Sequence, residues 1–147
     1  MADINITHHA SDDLTAIAEI ESVSINPPWS YKAICDFAEY DTNKILVAKI
    51  EDTVVGYITY SIIIDEIQIA NVATHPDFRK QGIGSKMLSA LYDIAVQNKM
   101  YVITLEVRQS NTPAIMLYEK SGYEQVGKRK NYYKNPTEDA LLYNLSL

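Results

Sequence analysis

The sequence is short of the features that would tie it to a membrane, an oxidising compartment or a nucleic acid. One cysteine, Cys35, in 147 residues rules out an internal disulfide and fits a reducing cytosol. Cys35 falls on a helical pattern, where a small core residue is its expected role. No run approaches the roughly 20 apolar residues that a membrane span requires. The start, Met-Ala-Asp-Ile-Asn-Ile, lacks the basic opening and long apolar stretch of a signal peptide, so a soluble, cytoplasmic protein is expected. Positive charge is also scarce. A formal net charge of -6 and a pI near 5.0 argue against tight binding to a nucleic-acid backbone and suit neutral or basic partners. Repeats and low-complexity segments are lacking. With 47% hydrophobic residues, the chain has enough apolar material for one globular domain over residues 1–147.

Taken in order, a short strand is expected over Asp3–Thr7, then a helix capped by Ser11 or Asp12 and running to about Ser22, with Leu14, Ile17, Ala18 and Glu21 at helical spacing. Asn26-Pro27-Pro28-Trp29 breaks it, and Ser30 caps a second helix over Tyr31–Tyr40. Strands Lys44–Ile50 and Val54–Ile64 form a hairpin, Asp65-Glu66 makes a second turn, and Ile67–Thr74 is the next strand. A helix over Ile83–Asn98 carries an apolar stripe of Ile83, Met87, Leu88, Leu91, Ile94 and Ala95. Strand Tyr101–Val107, a helix from Thr112-Pro113 to about Lys120 stopped by Gly122, and strands Tyr123–Lys128 and Ala140–Leu147 complete the chain. Strand, helix, strand with one crossover implies a parallel pair. The fold class is therefore α/β (α+β) with a mixed sheet, antiparallel on its N-terminal side.

Between the strand ending at Thr74 and the helix beginning at Ile83 lies Arg79-Lys80-Gln81-Gly82-Ile83-Gly84-Ser85. Two glycines there let backbone N–H groups approach a guest without Cβ interference, and the helix start adds positive partial charge. A phosphate is the natural guest, although ordinary turn punctuation explains the pattern equally well. A P-loop would need lysine and then a hydroxyl directly after the second glycine; here Ser85-Lys86 stand in reverse order. Ligands of open α/β sheets collect at the carboxyl ends of parallel strands, which directs attention to Glu106 and to the following helix. Alternation places Thr104, Glu106 and Arg108 on one strand face, and Asn111, Ala114, Ile115 and Tyr118 share a helix face. From spacing alone, a solvated strand end or an ion pair with Arg108 or a lysine is favoured for Glu106, and core packing for Tyr118.

The ordered set Arg79-Lys80-Gln81-Gly82-Ile83-Gly84, Leu105-Glu106-Val107-Arg108, Ser110-Asn111 and Ala114-Ile115-Met116-Leu117-Tyr118-Glu119-Lys120-Ser121-Gly122-Tyr123 resembles the GNAT superfamily of acetyl-CoA-dependent N-acetyltransferases. Pro28-Trp29-Ser30, Asn131-Tyr132-Tyr133 and Glu138-Asp139-Ala140 extend the similarity to its RimI-type branch, the ribosomal-protein alanine N-acetyltransferases. The resemblance covers most of the chain. It implies a mostly antiparallel mixed sheet with a parallel pair splayed at the cofactor site. It also implies acetyl-CoA as donor, its pyrophosphate on Lys80, Gln81, Gly82, Ile83, Gly84 and Ser85, its pantetheine beside the backbone of Val72, Ala73 and Thr74, and a cofactor contact at Asn111. In the same way it implies Glu106 as general base, Tyr118 as general acid, and Trp29, Tyr132 and Tyr133 as the acceptor-side wall, with Tyr132 and Tyr133 in a loop before the last strand. No metal is called for.

The implied partner is the N-terminus of a small-subunit ribosomal protein, the eighteenth. An α-amine titrates at about 7.7–8.0 and a lysine near 10.4, so an N-terminal acceptor asks little of its base. Other acceptors stay open: a protein lysine, a polyamine or an antibiotic. So does a non-catalytic acyl-CoA-binding module, against which the presence of both Glu106 and Tyr118 weighs. The short connection Ser61–Glu66 and the Asn26-Pro27-Pro28 segment depart from the family pattern on the acceptor side.

Overall fold

Residues 3–147 are described in a computed structural model. Seven strands, β1 (Ile4–His8), β2 (Asn43–Ile50), β3 (Thr53–Ile63), β4 (Glu66–Thr74), β5 (Val102–Arg108), β6 (Glu124–Tyr133) and β7 (Glu138–Ser146), form one sheet in the order β1-β2-β3-β4-β5-β7-β6. Helices α1 (Leu14–Ser24) and α2 (Tyr31–Ala38) cover one face, and α3 (Ile83–Gln97) and α4 (Thr112–Lys120) the other. Alternation along β2 explains why its sequence reads as an unbroken apolar run. Ile45 and Val47 pack with Ile17, Ile20 and Ile34 beneath α1 and α2, while Leu46 and Ala48 pack with Ile83, Met87 and Leu91 of α3. The stripe read along α3 is the buried one. Ser30 caps α2 as expected, its Oγ accepting from the Ala33 N–H at 3.0 Å. Among the described residues no helix is long and apolar enough to cross a membrane.

Several boundaries differ from the sequence reading, each for a local reason. A 3-10 turn over Ser11–Asp13 precedes α1, and neither Ser11 nor Asp12 caps it. Instead Asp13 reaches back to accept from the Ala10 N–H at 2.8 Å, and α1 continues to Ser24. Helix α2 stops at Ala38 rather than Tyr40. Ile64, at φ 59°, and Asp65 make the turn before β4. β5 runs from Val102 to Arg108 rather than from Tyr101 to Val107. β6 continues five residues beyond Lys128, so Tyr132 and Tyr133 end a strand and do not lie in a loop. Its second half, Arg129-Lys130-Asn131, shows no apolar alternation because it is an exposed edge, its ladder to β7 interrupted between Arg129 and Tyr133, where the Asn131 N–H donates to Asp139 Oδ1 at 2.9 Å. β7 begins two residues early, at Glu138.

All neighbouring strands are antiparallel except β4 and β5. That parallel pair is short, joining Glu66 to Val102, Ile67 to Ile103 and Gln68 to Thr104 and then parting, while β5 stays paired to β7 along its whole length. The departure begins at a β-bulge. β3 pairs Thr59 with Asn71 and Tyr60 with Ile69, leaving Ala70 unmatched. The extra residue reverses the alternation. Ile67, Ile69 and Val72 face the α3 core, whereas Asn71 and Ala73 turn toward α1.

Tyr123 carries a buried hydroxyl without a hydrogen-bond partner. A Tyr123→Phe variant removes that unsatisfied group and keeps the ring that meets Tyr118 at 5.9 Å. It should gain about 1 kcal/mol, read as a higher urea midpoint at unchanged slope.

Candidate active site

The splay between β4 and β5 opens a cleft of about 1090 Å³. Its walls include Asn71 and Val72 of β4, Glu106 and Arg108 of β5, Asn111 and Tyr118 of the α4 segment, Trp29 of the α1–α2 loop and Tyr132 and Tyr133 of β6. Trp29, Val72, Glu106, Asn111, Tyr118, Tyr132 and Tyr133, all singled out in the sequence, thus meet around one space. Ala73, Thr74 and Lys80–Ser85 lie outside that lining, farther along β4 and at the start of α3.

The β4 backbone faces the gap by a simple rule. The His75 N–H bonds the Val55 carbonyl, so alternation along the antiparallel ladder turns the N–H and C=O of Val72 and Thr74 to the opposite edge, where β5 has left. Arg79 Nε already donates to the Thr74 carbonyl at 3.2 Å. Ala73 points its methyl into the core under α1 and α2, and the same alternation turns its N–H and C=O to β3, so the expected cofactor contact through its backbone does not hold.

At the head of α3, Gly82 is the N-cap in the left-handed region, φ 78° and ψ 12°, with open space where a Cβ would stand. No side chain caps the helix, which leaves the first-turn N–H groups of Ile83, Gly84 and Ser85 free for an anion. Gly84 answers a different need. A Cβ there would come within 2.9 Å of Leu117 Cδ2, so its absence lets α4 approach α3 closely. Ile83 is 2% exposed and packs inward, contributing its N–H alone. Asn111 proves to be the N-cap of α4, its Oδ1 accepting from the Ala114 N–H at 3.3 Å.

Glu106 projects from β5 with one oxygen held loosely and one not at all. Oε1 lies 3.9 Å from Arg129 Nε; Oε2 is buried without a hydrogen-bond partner. The ion pair with Arg108 that spacing suggested does not form, because Arg108 is engaged elsewhere. Tyr118 is 6% exposed, and burial, reinforced by neighbouring Tyr133, raises its pKa and keeps its proton in place at neutral pH. Burial, followed by the Glu106 charge, pushes Tyr133 up to about 12.

Three contributors were not legible as site residues. Arg108 Nη1 bonds Glu138 Oε1 and the Pro136 carbonyl, each at 3.1 Å, while Nη2 bonds the carbonyls of Lys134 at 2.8 Å and Asn26 at 3.3 Å. Its guanidinium also lies 4.5 Å from the centroid of the Tyr133 ring. Glu138 Oε2 accepts from the Ser110 N–H at 2.6 Å. One arginine thereby latches the β6–β7 turn to the α1–α2 loop across the acceptor side of the cleft. Glu21 is buried on α1 among Ile17 and Ile20; its place on an apolar helical stripe was the available signal.

A sheet whose one parallel pair splays beside an uncapped glycine cradle, and whose cleft presents a carboxylate with one unpartnered oxygen and a protonated phenol, fits an acyltransferase fed by a CoA thioester. The pattern of the acetyltransferase (GNAT) family matches residues 10–123, and the chain belongs to that family. It is an acetyltransferase, and acetyl-CoA is its donor. The [ribosomal protein bS18]-alanine N-acetyltransferase of Salmonella typhimurium is 33% identical over 141 residues, 94% of each chain. That of Haemophilus ducreyi is 33% identical over 140 residues, 92% of this chain and 94% of its own. The crystal structure of the ribosomal-protein-S18-alanine N-acetyltransferase from Escherichia coli superposes with a TM-score of 0.91 at 29% identity, covering 98% of this chain and 94% of that one.

Proposed function

We propose that the protein acetylates the N-terminal α-amine of a protein, the N-terminal alanine of ribosomal protein bS18 being the acceptor by analogy with its relatives. The observation that carries this reading is the buried, unpartnered Oε2 of Glu106 at the wall of the cleft. A carboxylate oxygen withdrawn from water without a donor is costly to keep, and an amine N–H or a bridging water supplies the missing bond.

The residues divide the work by position. Backbone N–H groups from Lys80 to Ser85 hold the pyrophosphate, Val72 and Thr74 present the free edge of β4 to the pantetheine, and Asn111 flanks the cofactor from the head of α4. Bound there, acetyl-CoA supplies the activated acetyl thioester. Glu106 would take a proton from the acceptor amine, directly or through one water, and the Val72 N–H, on the free edge of β4, would be available to the carbonyl oxygen as charge develops there. Tyr118 returns a proton to the departing sulfur. Trp29, Tyr132 and Tyr133 wall the acceptor. Transfer is direct, with no covalent enzyme intermediate on Cys35, which does not line the cleft.

The test is acetylation of peptides with a free N-terminal alanine beside matched peptides that are N-terminally blocked and carry a lysine. Transfer to the free terminus is expected, by at least about tenfold in kcat/KM, given the lower pKa of the α-amine. Transfer confined to the lysine peptide would overturn the reading.

A further inference from the structure

Glu21 is 1% exposed, yet its two oxygens are fully occupied by neutral donors. Oε1 accepts from the Tyr57 hydroxyl on β3, and Oε2 from the Trp29 N–H at 2.9 Å. Asn71 Nδ2 lies 3.3 Å from Oε1 and 3.2 Å from Oε2. A carboxylate only accepts, so every donor around it is turned toward it. For Asn71 the consequence is directional. With its nitrogen committed to Glu21, its Oδ1 is the end left over, and Asn71 lines the same cleft as Glu106. The bulge at Ala70 makes the contact possible by turning Asn71 toward α1.

We propose that Glu21 is a positioning residue for the acceptor site. It fixes Asn71 with Oδ1 available to an acceptor N–H, and it pins the Trp29 backbone so that the α1–α2 loop and the post-bulge half of β4 form one wall. This rests on the reading of the cleft as the seat of an amine acceptor. The chemistry selected is a primary amine or ammonium, which brings several N–H donors: Glu106 and Asn71 Oδ1 are acceptors on opposite strands of the splay. An amide at position 21 has one accepting oxygen for three donors, and its own NH2 meets that of Asn71. Asn71 must then rotate and present a donor to the acceptor's donors.

The experiment compares Glu21→Gln, Asn71→Ala and the double variant. Glu21→Gln should raise the KM for an N-terminal alanine peptide roughly tenfold while the KM for acetyl-CoA stays within about twofold. Asn71→Ala, which buries no altered charge and keeps the test alive if Glu21→Gln folds poorly, should raise the peptide KM similarly. The double variant should be little worse than either single one. Trp29 is the chain's one tryptophan, so its fluorescence reports the loop directly. A red shift and stronger acrylamide quenching are expected in folded Glu21→Gln. An unchanged peptide KM in Asn71→Ala, or unchanged Trp29 emission in folded Glu21→Gln, would overturn the proposal. If the wild-type protein acetylates no N-terminal amine, the acceptor role of Asn71 falls with the underlying reading, while the emission result still decides whether Glu21 holds the loop.

Discussion

Replacing Glu106 by Gln lowers kcat by roughly two to four orders of magnitude, while the dissociation constant for acetyl-CoA, followed by calorimetry, stays near the wild-type value. The expectation follows from what the amide retains and what it loses. Glutamine keeps the shape and can still donate toward a water, but it cannot take a proton from the attacking nitrogen. The defect should depend on pH in a diagnostic way. At pH 6.5 most of an α-amine, with a pKa of about 7.7–8.0, is protonated and the base is needed; near pH 9 bulk solvent has already removed the proton and the gap should narrow. Tyr118→Phe should show a smaller loss, about a hundredfold, since a thiolate leaves more readily than an alkoxide. Its ring would go on packing against Tyr123 at 5.9 Å, so stability should hold. A Glu106→Gln enzyme within a few-fold of wild type at pH 6.5 would remove that carboxylate from the base role.

Much of this arrangement is legible in the chain, and the exceptions have physical causes. The order of elements, the parallel pair, the α3 stripe and the cluster around Glu106, Asn111 and Tyr118 follow from periodicity together with family resemblance, because each is encoded within a short window. The bulge at Ala70 is not encoded that way: Ile67, Ile69 and Ala73 alternate in sequence as if the strand were regular, and only the β3 partner reveals the extra residue. Arg108 is one candidate partner for Glu106 on spacing, because alternation puts them on one face. The winning partner, Glu138, is 30 residues away, brought alongside by the β5–β7 ladder that pairs Arg108 with Ala140. The extent of β6 escaped for a related reason, since an edge strand needs no apolar face to be held in a ladder. Long-range pairing, rather than local propensity, decided all three.

Raising the pH should unfold the protein cooperatively between about pH 10 and 12, with tyrosine ionisation and loss of far-UV circular dichroism occurring together. Of the chain's 11 tyrosines, Tyr57, Tyr60, Tyr118, Tyr123 and Tyr133 are all raised, chiefly by burial. Tyr60 and Tyr133 are each pushed up to about 12, and Tyr57 is raised further by its hydrogen bond to Glu21. The sign follows from comparing the two states. Below pH 10 these phenols are neutral whether the chain is folded or not, and their contribution to stability is intact. Above pH 10 the unfolded chain releases protons that the folded one retains, so stability declines with each step in pH until the folded values are passed. Because several groups act through one cooperative core, their losses add. Absorbance at 295 nm should therefore show an early phase from exposed residues such as Tyr40 and Tyr101, 67% and 70% exposed, and a later, steeper phase coincident with the dichroism change. A single shallow titration near pH 10 with unchanged dichroism would contradict the burial of this set. Glu106→Gln gives a sharper check, since removing its charge from beside Tyr133 should bring that phenol's ionisation to lower pH without exposing it.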